Sequence, residues 1–298
     1  LLAGASGFIG SFLYSKLFKN YSVKALNHRN QNVSDNFYSI NLTKESDVEK
    51  FVEESPQYDI LIFLVGLAHK KGRGKEIDDF LLINNNTLIN LLSILKSQNK
   101  SPKKIIFSST ISVYGEQYDQ RIYEEDSPKL PLSPYAISKM KAEQYLLDNY
   151  KEKTWILRFA PVYSSKFLLN INRRTKIRCH FYKVGRGNFK LSLCNIENIG
   201  FAIEGIIKNK VPVGVYNISD SKNYTYEELL KWQRIKWSYS IPLFSVKFLY
   251  YLGNITNNTF LSENTIKLIS DNVYPSDKIC SYIDFPSTIY DVKYYHDQ

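Results

Sequence analysis

The chain has 298 residues, 44% of them hydrophobic and 23% charged, with 23 Tyr and 17 Phe to fill a core; this usage fits one large or two-lobed globular chain and excludes a disordered one. Three cysteines, Cys179, Cys194 and Cys280, are too few and too widely spaced for a disulfide framework or a metal site, so no metal is expected and a reducing, cytoplasmic compartment is. The formal charge of +10 could suit an anionic partner, but the basic clusters at 69–75 and 173–178 lack interleaved aromatics and no nucleic-acid module is visible, so a solvated basic face is expected and no nucleic acid.

Only Leu1, Leu2 and Ala3 precede the first glycine, so the sequence is expected to begin inside its first strand. Over roughly the first 160 residues, short β-rich runs alternate with helical patterns, as in a parallel sheet built from βαβ units. Strands are expected at 1–3, 22–26, 37–40, 60–64, 105–108 and 155–157. The clearest helix runs over 76–98, where Ile77, Phe80, Leu81, Leu88, Leu91, Leu92 and Leu95 recur at helical spacing. The triplet Asn32-Val33-Ser34 is an expected chance match to a glycosylation site. After Tyr163 the pattern loosens into a basic, aromatic stretch, then a helix over 196–208 and a strand over 215–218. A dinucleotide-binding domain over 1–163 is therefore expected, followed by a mainly substrate-binding lobe over 164–298 with the stretch around 191–219 returning to the first domain. The longest apolar run, 60–68, falls far short of the ~20 residues that span a bilayer. The stretch 241–252 is apolar and aromatic but is broken by Pro242 and Lys247, which suits helix packing or a surface contact.

Gly4-Ala5-Ser6-Gly7-Phe8-Ile9-Gly10 follows a strand stub and opens a helix. Glycines there allow a tight turn and a close approach of backbone N–H groups to a pyrophosphate at the positive helix end. Phe8, Ile9, Phe12, Leu13 and Leu17 are expected on the buried face. The end of the second strand reads Leu26-Asn27-His28-Arg29; no carboxylate is present to bind ribose hydroxyls, and Arg29 could pair with a 2′-phosphate, which favours NADP(H), with NAD(H) as the alternative. Tyr135 and Lys139 stand four residues apart, on one face of a helix. A free Tyr has a pKa near 10, and a nearby cation favours the phenolate needed for proton exchange. Upstream, Ser108, Ser109 and Thr110 end a buried strand with hydroxyls at its carboxyl end, where open α/β sheets bind ligands.

These motifs together resemble the extended short-chain dehydrogenases of the NAD-dependent epimerase/dehydratase family. GASGFIG, FLVGLAH, FSSTISVYGE, PYAISK and LRFAPVY appear in that family's order and spacing across residues 4 to 163. The resemblance implies a Rossmann doubly wound parallel sheet with a smaller C-terminal lobe. It implies Thr110, Tyr135 and Lys139 as the catalytic group. Gly4, Gly7, Phe8, Ile9, Gly10, Asn41, Leu42, Val65, Gly66, Leu67, Asn84, Phe159 and Val162 fall at cofactor-binding positions, as do Tyr135 and Lys139, the latter as the family's cofactor-binding lysine. Phe63, Val65 and Gly66 depart from the family's usual HLAA, and Ser164 from its usual YG.

Family dehydratases carry Asp-Glu after the catalytic Thr; Ile111-Ser112 disfavours that reaction. A weaker resemblance over the whole chain, to bacterial 4-reductases of UDP-4-keto-6-deoxy-N-acetylhexosamines, implies reduction at sugar C4 with Tyr135 as proton donor. A UDP-sugar 4-epimerase is the alternative, and a non-catalytic dinucleotide sensor is the alternative of another class. Thr110 would orient the substrate, and Lys166, Arg173, Arg186 and Lys190 are candidate cations for the nucleotide diphosphate, with Lys278 beside them. His69 and His180 are read as incidental. Family members often pair through the helices expected at 76–98 and 135–150, which implies a homodimer by analogy.

Overall fold

A parallel strand covered on both faces needs apolar side chains at successive positions, and Leu61, Ile62 and Phe63 are all buried. The computed structural model describes residues 1–28, 36–67, 76–115, 117–118 and 120–294. They divide into two compact units, the first formed by Leu1–Thr110, Pro134–Leu157 and Pro212–Val215, the second by Ile111–Ser133, Arg158–Val211 and Tyr216–Gln298.

In chain order the first unit contains β1 (Leu2–Ala3), α1 (Phe8–Leu17), β2 (Ala25–Asn27), β3 (Phe37–Ser39), α2 (Glu45–Glu54), β4 (Ile60–Phe63), α3 (Glu76–Leu81), α4 (Thr87–Ser97), β5 (Lys104–Thr110) and α5 (Pro134–Tyr150), and it shares β6 (Thr154–Phe159). A seventh strand, Gly214–Ile218, opens the sheet order, which continues β6, β5, β4, β1, β2, β3. The pairs β1–β2, β1–β4, β2–β3 and β4–β5 are parallel. The fold is a Rossmann-like α/β sheet with flanking helices. Its core takes Val48, Phe51 and Val52 from α2, Leu88, Leu91, Leu92 and Leu95 from α4, and Ala142 and Leu146 from α5. Each buried leucine stabilises by about 1.5–3 kcal/mol.

Four local details differ from the sequence expectation. The second strand starts at Ala25 rather than Ser22, and the fifth runs to Thr110, two residues beyond its expected end. The helix over 76–98 is interrupted between α3 and α4 by a π-helical turn, Leu82–Asn86. On α1 the buried positions are Gly10, Leu13 and Leu17, while Phe8, Ile9 and Phe12 are half-buried.

In the second unit, Val162–Tyr163 pairs in parallel with Cys194–Asn195. The helix Ile196–Ile207 follows at once, capped by the Asn195 side chain, which accepts from the Glu197 N–H. The helix Tyr226–Trp232 starts at a reciprocal Thr225/Glu228 capping box. A three-stranded sheet joins Lys176–Ile177, His180–Val184 and Tyr239–Ile241, and two antiparallel-connected helices, Leu243–Ile255 and Thr259–Ile269, follow. Buried Asp220 is this unit's polar hub. It accepts from the Tyr163 and Tyr224 hydroxyls at 2.6 and 2.8 Å, from the Asn195 N–H at 2.6 Å and from Asn198 Nδ2 at 2.9 Å.

Candidate functional site

The turn from β1 into α1 is built for close approach. Gly4 has φ +86°, and a Cβ on Gly10 would stand 2.1 Å from the Gly4 carbonyl oxygen, so a side chain at Gly10 cannot be accommodated without moving backbone. Gly7 caps α1 with no side-chain hydrogen bond, and the first turn holds no acidic residue. The helix N-terminus therefore presents backbone N–H groups and positive dipole character with no internal anion to satisfy them.

A cleft of about 260 Å³ opens beside this turn. Gly4, Gly7, Asn41, Leu42, Val65 and Gly66, all picked out from the sequence, line it. So do residues the sequence reading did not assign, among them Asn27, Thr43, Ile83 and Thr87. Asn41 closes a local turn, its Oδ1 accepting from the Thr43 N–H at 3.1 Å and hydroxyl at 2.8 Å. Asn27, buried at the carboxyl end of β2, carries an Oδ1 with no hydrogen-bond partner among the described residues. A buried acceptor without a donor costs about 1–3 kcal/mol. A glycine cradle, an uncapped helix end and an acceptor awaiting a donor together fit a dinucleotide: backbone amides for the diphosphate, Asn27 for a ribose hydroxyl.

The end of β5 and the start of α5 bring Thr110, Tyr135 and Lys139 together. Desolvation pushes the Tyr135 phenol up to about 12, against a hydrogen bond with the Thr110 side chain that holds it down. Phe80 covers the Tyr135 ring edge-on, with centroids 6.3 Å apart. Lys139 is buried and donates to the Ser108 carbonyl at 2.9 Å and the Val65 carbonyl at 3.3 Å, 4.7 Å above the Phe107 ring. Its removal from water pulls the ammonium pKa down to about 7, against the attraction of Glu143.

Glu143 lies one turn beyond Lys139 on α5, fully buried, and accepts from the Ser109 hydroxyl at 2.6 Å. The Tyr135, Lys139, Glu143 spacing of four residues is the signal that could have found it. Asn84, in the π turn, is fully buried: its Oδ1 accepts from the Leu67 N–H at 2.6 Å, and its Nδ2 donates to the Leu67 carbonyl and the Ser138 hydroxyl. Ser138 in turn donates to the Tyr135 carbonyl. The wall segment 65–67 and the first turn of α5 are thereby tied through one amide.

Other sequence candidates fall elsewhere. Arg29, His69 and the triplet 32–34 lie outside the described residues. Phe159 and Val162 are buried in the second unit. Lys166, Arg173, Arg186 and Lys190 are exposed there, in a loop, a helix, a turn and a strand respectively. Lys278 stacks over the Tyr216 ring at 5.1 Å, and His180 meets Tyr239 edge-on. No group of three or more His, Cys, Asp or Glu among the described residues could hold a metal ion.

The model of the NAD dependent epimerase/dehydratase family matches residues 1–218. The chain belongs to this family. A family relative, the N-acetyl-α-D-glucosaminyl-diphospho-ditrans,octacis-undecaprenol 4-epimerase of Escherichia coli O157:H7, is 25% identical over 97% of this chain and 87% of its own. Among solved structures, the UDP-Glc/GlcNAc 4-epimerase of Campylobacter jejuni superposes with a TM-score of 0.73 at 17% identity, over 96% of this chain and 93% of that one. A human epimerase family protein solved with NADPH gives 0.71 at 14% identity, over 96% and 94%. At these identities the two structures establish the fold that epimerase/dehydratase members share.

Proposed function

We propose that this epimerase/dehydratase family member is a nicotinamide-dependent 4-epimerase of a hexose or N-acetylhexosamine linked to a diphosphate. The observation that carries the reading is the Thr110–Tyr135 hydrogen bond with Lys139 buried beneath it, an arrangement suited to moving a proton on and off a sugar hydroxyl. The bound dinucleotide supplies the hydride acceptor and donor. Tyr135 takes the C4 hydroxyl proton as that carbon gives up its hydride, and it returns the proton when the hydride comes back to the opposite face of the ketone. One hydride and one proton leave the sugar and both return, so no external reductant is consumed. Thr110 holds the same oxygen and sets its distance from the phenol.

The 4-ketoreductase expected from the sequence uses only the second half of this chemistry, and the absence of a carboxylate at 27–29 is what favours it. The 4-epimerase relative matched over 97% of this chain tips the choice to epimerisation. UDP is the carrier expected from the sequence. A polyprenol carrier is the second reading, favoured by that relative, whose substrate is a lipid-linked N-acetylhexosamine. For the cofactor, the lone Asn27 acceptor supports a ribose hydroxyl and hence NAD(H), while NADP(H) rests on Arg29.

Incubating the protein with UDP-N-acetylglucosamine and NAD⁺, without reductant, tests the reaction. Formation of the galacto epimer, lost by a factor of about 10³ in Tyr135→Phe, is expected. Absence of epimer together with stoichiometric loss of NADPH on a UDP-4-keto-6-deoxyhexosamine would establish the reductase instead. Dinucleotide binding with turnover of neither sugar, nor of a polyprenyl-diphosphate-linked one, would leave the sensor.

A further inference from the structure

The helix Leu243–Ile255 is amphipathic in the wrong sense for a globular surface. Its two buried positions, Val246 and Gly253, lie on one side, where Gly253 lets the helix sit tight against Ser262 of the next helix: a Cβ there would meet the Ser262 oxygen at 2.7 Å. On the opposite side Phe244, Phe248, Tyr251, Leu252 and Ile255 follow one another at helical spacing. They stand in water: Phe244 is 75% exposed, Phe248 66% and Ile255 80%. Exposed single apolar residues are ordinary, but a contiguous stripe of five on one helix marks a surface that something covers.

Charge says what covers it. From residue 229 to residue 262 the chain holds no Asp or Glu, whereas Lys231, Arg234, Lys236 and Lys247 fall within that span. Arg234 and Lys236 are exposed, as is Lys231, which pairs with Glu227 at 3.2 Å, and Trp237, next in sequence, is 65% exposed. Lys247 flanks the stripe, half-buried with its ammonium 5.5 Å from the Tyr118 ring centroid, and with Arg121 it lines a cleft of about 300 Å³. Cations next to exposed Trp, Phe and Leu form the pattern of a helix lying in a membrane interface. A protein partner with an acidic groove would match the charge, but it would not account for five exposed aromatic and aliphatic side chains in one stripe with no charged residue among them. No helix among the described residues is long and apolar enough to cross a bilayer.

We propose that the helix Leu243–Ile255 docks this chain onto an anionic lipid bilayer, the apolar stripe entering the headgroup layer and the neighbouring cations facing lipid phosphates. The contact is peripheral and reversible. It goes beyond the catalytic reading and stands whether the sugar carrier is a nucleotide or a lipid.

Flotation of the full chain with vesicles of phosphatidylcholine alone and of phosphatidylcholine with about one-third phosphatidylglycerol tests this. Flotation with the anionic vesicles, weakened by salt, and at least about tenfold weaker in Phe244→Ser/Phe248→Ser/Ile255→Ser is expected. The three residues are exposed, so the variant should keep the wild-type melting temperature. A blue shift of fluorescence on vesicle addition that disappears in Trp237→Phe gives a second readout needing no change to the stripe. Equal binding to neutral vesicles, or equal flotation of the triple variant, overturns the proposal. So does a wild-type dimer that the triple variant converts to monomer without any flotation, since a second copy would then be the occupant. Because vesicle binding is measured without turnover, failure here leaves the epimerase reading untouched, and failure of that reading leaves this one.

Discussion

At the scale of single residues, two opposed pKa shifts define the site. Desolvation lifts the Tyr135 phenol to about 12 against its hydrogen bond with Thr110. Lys139, also buried, is pulled down to about 7 and spends its hydrogen bonds on the Ser108 and Val65 carbonyls. Alone, then, the phenol stays protonated through neutral pH, and it needs a cation beside it to ionise. An oxidised nicotinamide carries that charge. The tyrosinate difference absorbance between wild type and Tyr135→Phe should therefore be absent at mildly alkaline pH without dinucleotide and appear when NAD⁺ is added; a signal already present without NAD⁺ would contradict the burial argument. Lys139 adds a stability consequence. Between about 7 in the folded state and the ordinary lysine value of 10.5 the unfolded chain binds more protons, so this group destabilises the fold at and below neutral pH, and the penalty is relieved as pH rises through that window. Urea denaturation across it should show a rise in stability that Lys139→Met flattens.

At the scale of elements, the π turn Leu82–Asn86 has a clear task. An uninterrupted helix would carry residue 84 round at the regular 3.6-residue period; the wider turn delivers Asn84 to the Leu67 backbone and to Ser138, and π-bulges recur at functional sites for such reasons. Asn84→Ala removes partners from one backbone N–H and two oxygens. A loss of about 1–3 kcal/mol in stability, with the Michaelis constant for the dinucleotide raised because Val65 and Gly66 wall its cleft, is the expected outcome in urea melts and initial-rate kinetics. The expected spacing of Ile77 to Leu95 held for the buried leucines of α4. It could not show the insertion, because a π turn shifts the phase of a helix without changing its composition.

At the scale of the whole chain, the second unit has a buried polar hub at Asp220. Asp220 satisfies four donors while excluded from water, and burial raises its carboxyl pKa to about 6 despite them. The folded state thus retains a proton that the unfolded chain releases between 3.8 and about 6, so this group's contribution is full below the lower value and is lost as pH rises through the upper one. Truncation takes an acceptor from all four donors, of which Asn198 Nδ2 keeps the Ser287 carbonyl at 2.8 Å. Asp220→Ala is expected to cost about 3–5 kcal/mol, and Asp220→Asn, which keeps the shape and one acceptor oxygen, less; equal losses in chemical denaturation would show that the hub acts through volume alone.

The sequence by itself determined the class of fold, because alternating apolar runs and helical periods admit few arrangements other than a parallel sheet between helices. It also determined the glycine turn and the Tyr135–Lys139 pair, whose chemistry depends on residue type at short, regular spacing. The tertiary structure alone decided that Thr110 meets the phenol from another element, that Glu143 and Ser109 back the lysine, that Asn84 ties the cleft wall to α5, and that Asn27 is left an acceptor without a donor. Those relations join positions tens of residues apart, where loop closure and packing, rather than periodicity, set the distance. The same holds for the stripe on Leu243–Ile255: its composition was legible as apolar, but which face water would touch depended on what the neighbouring helix covered.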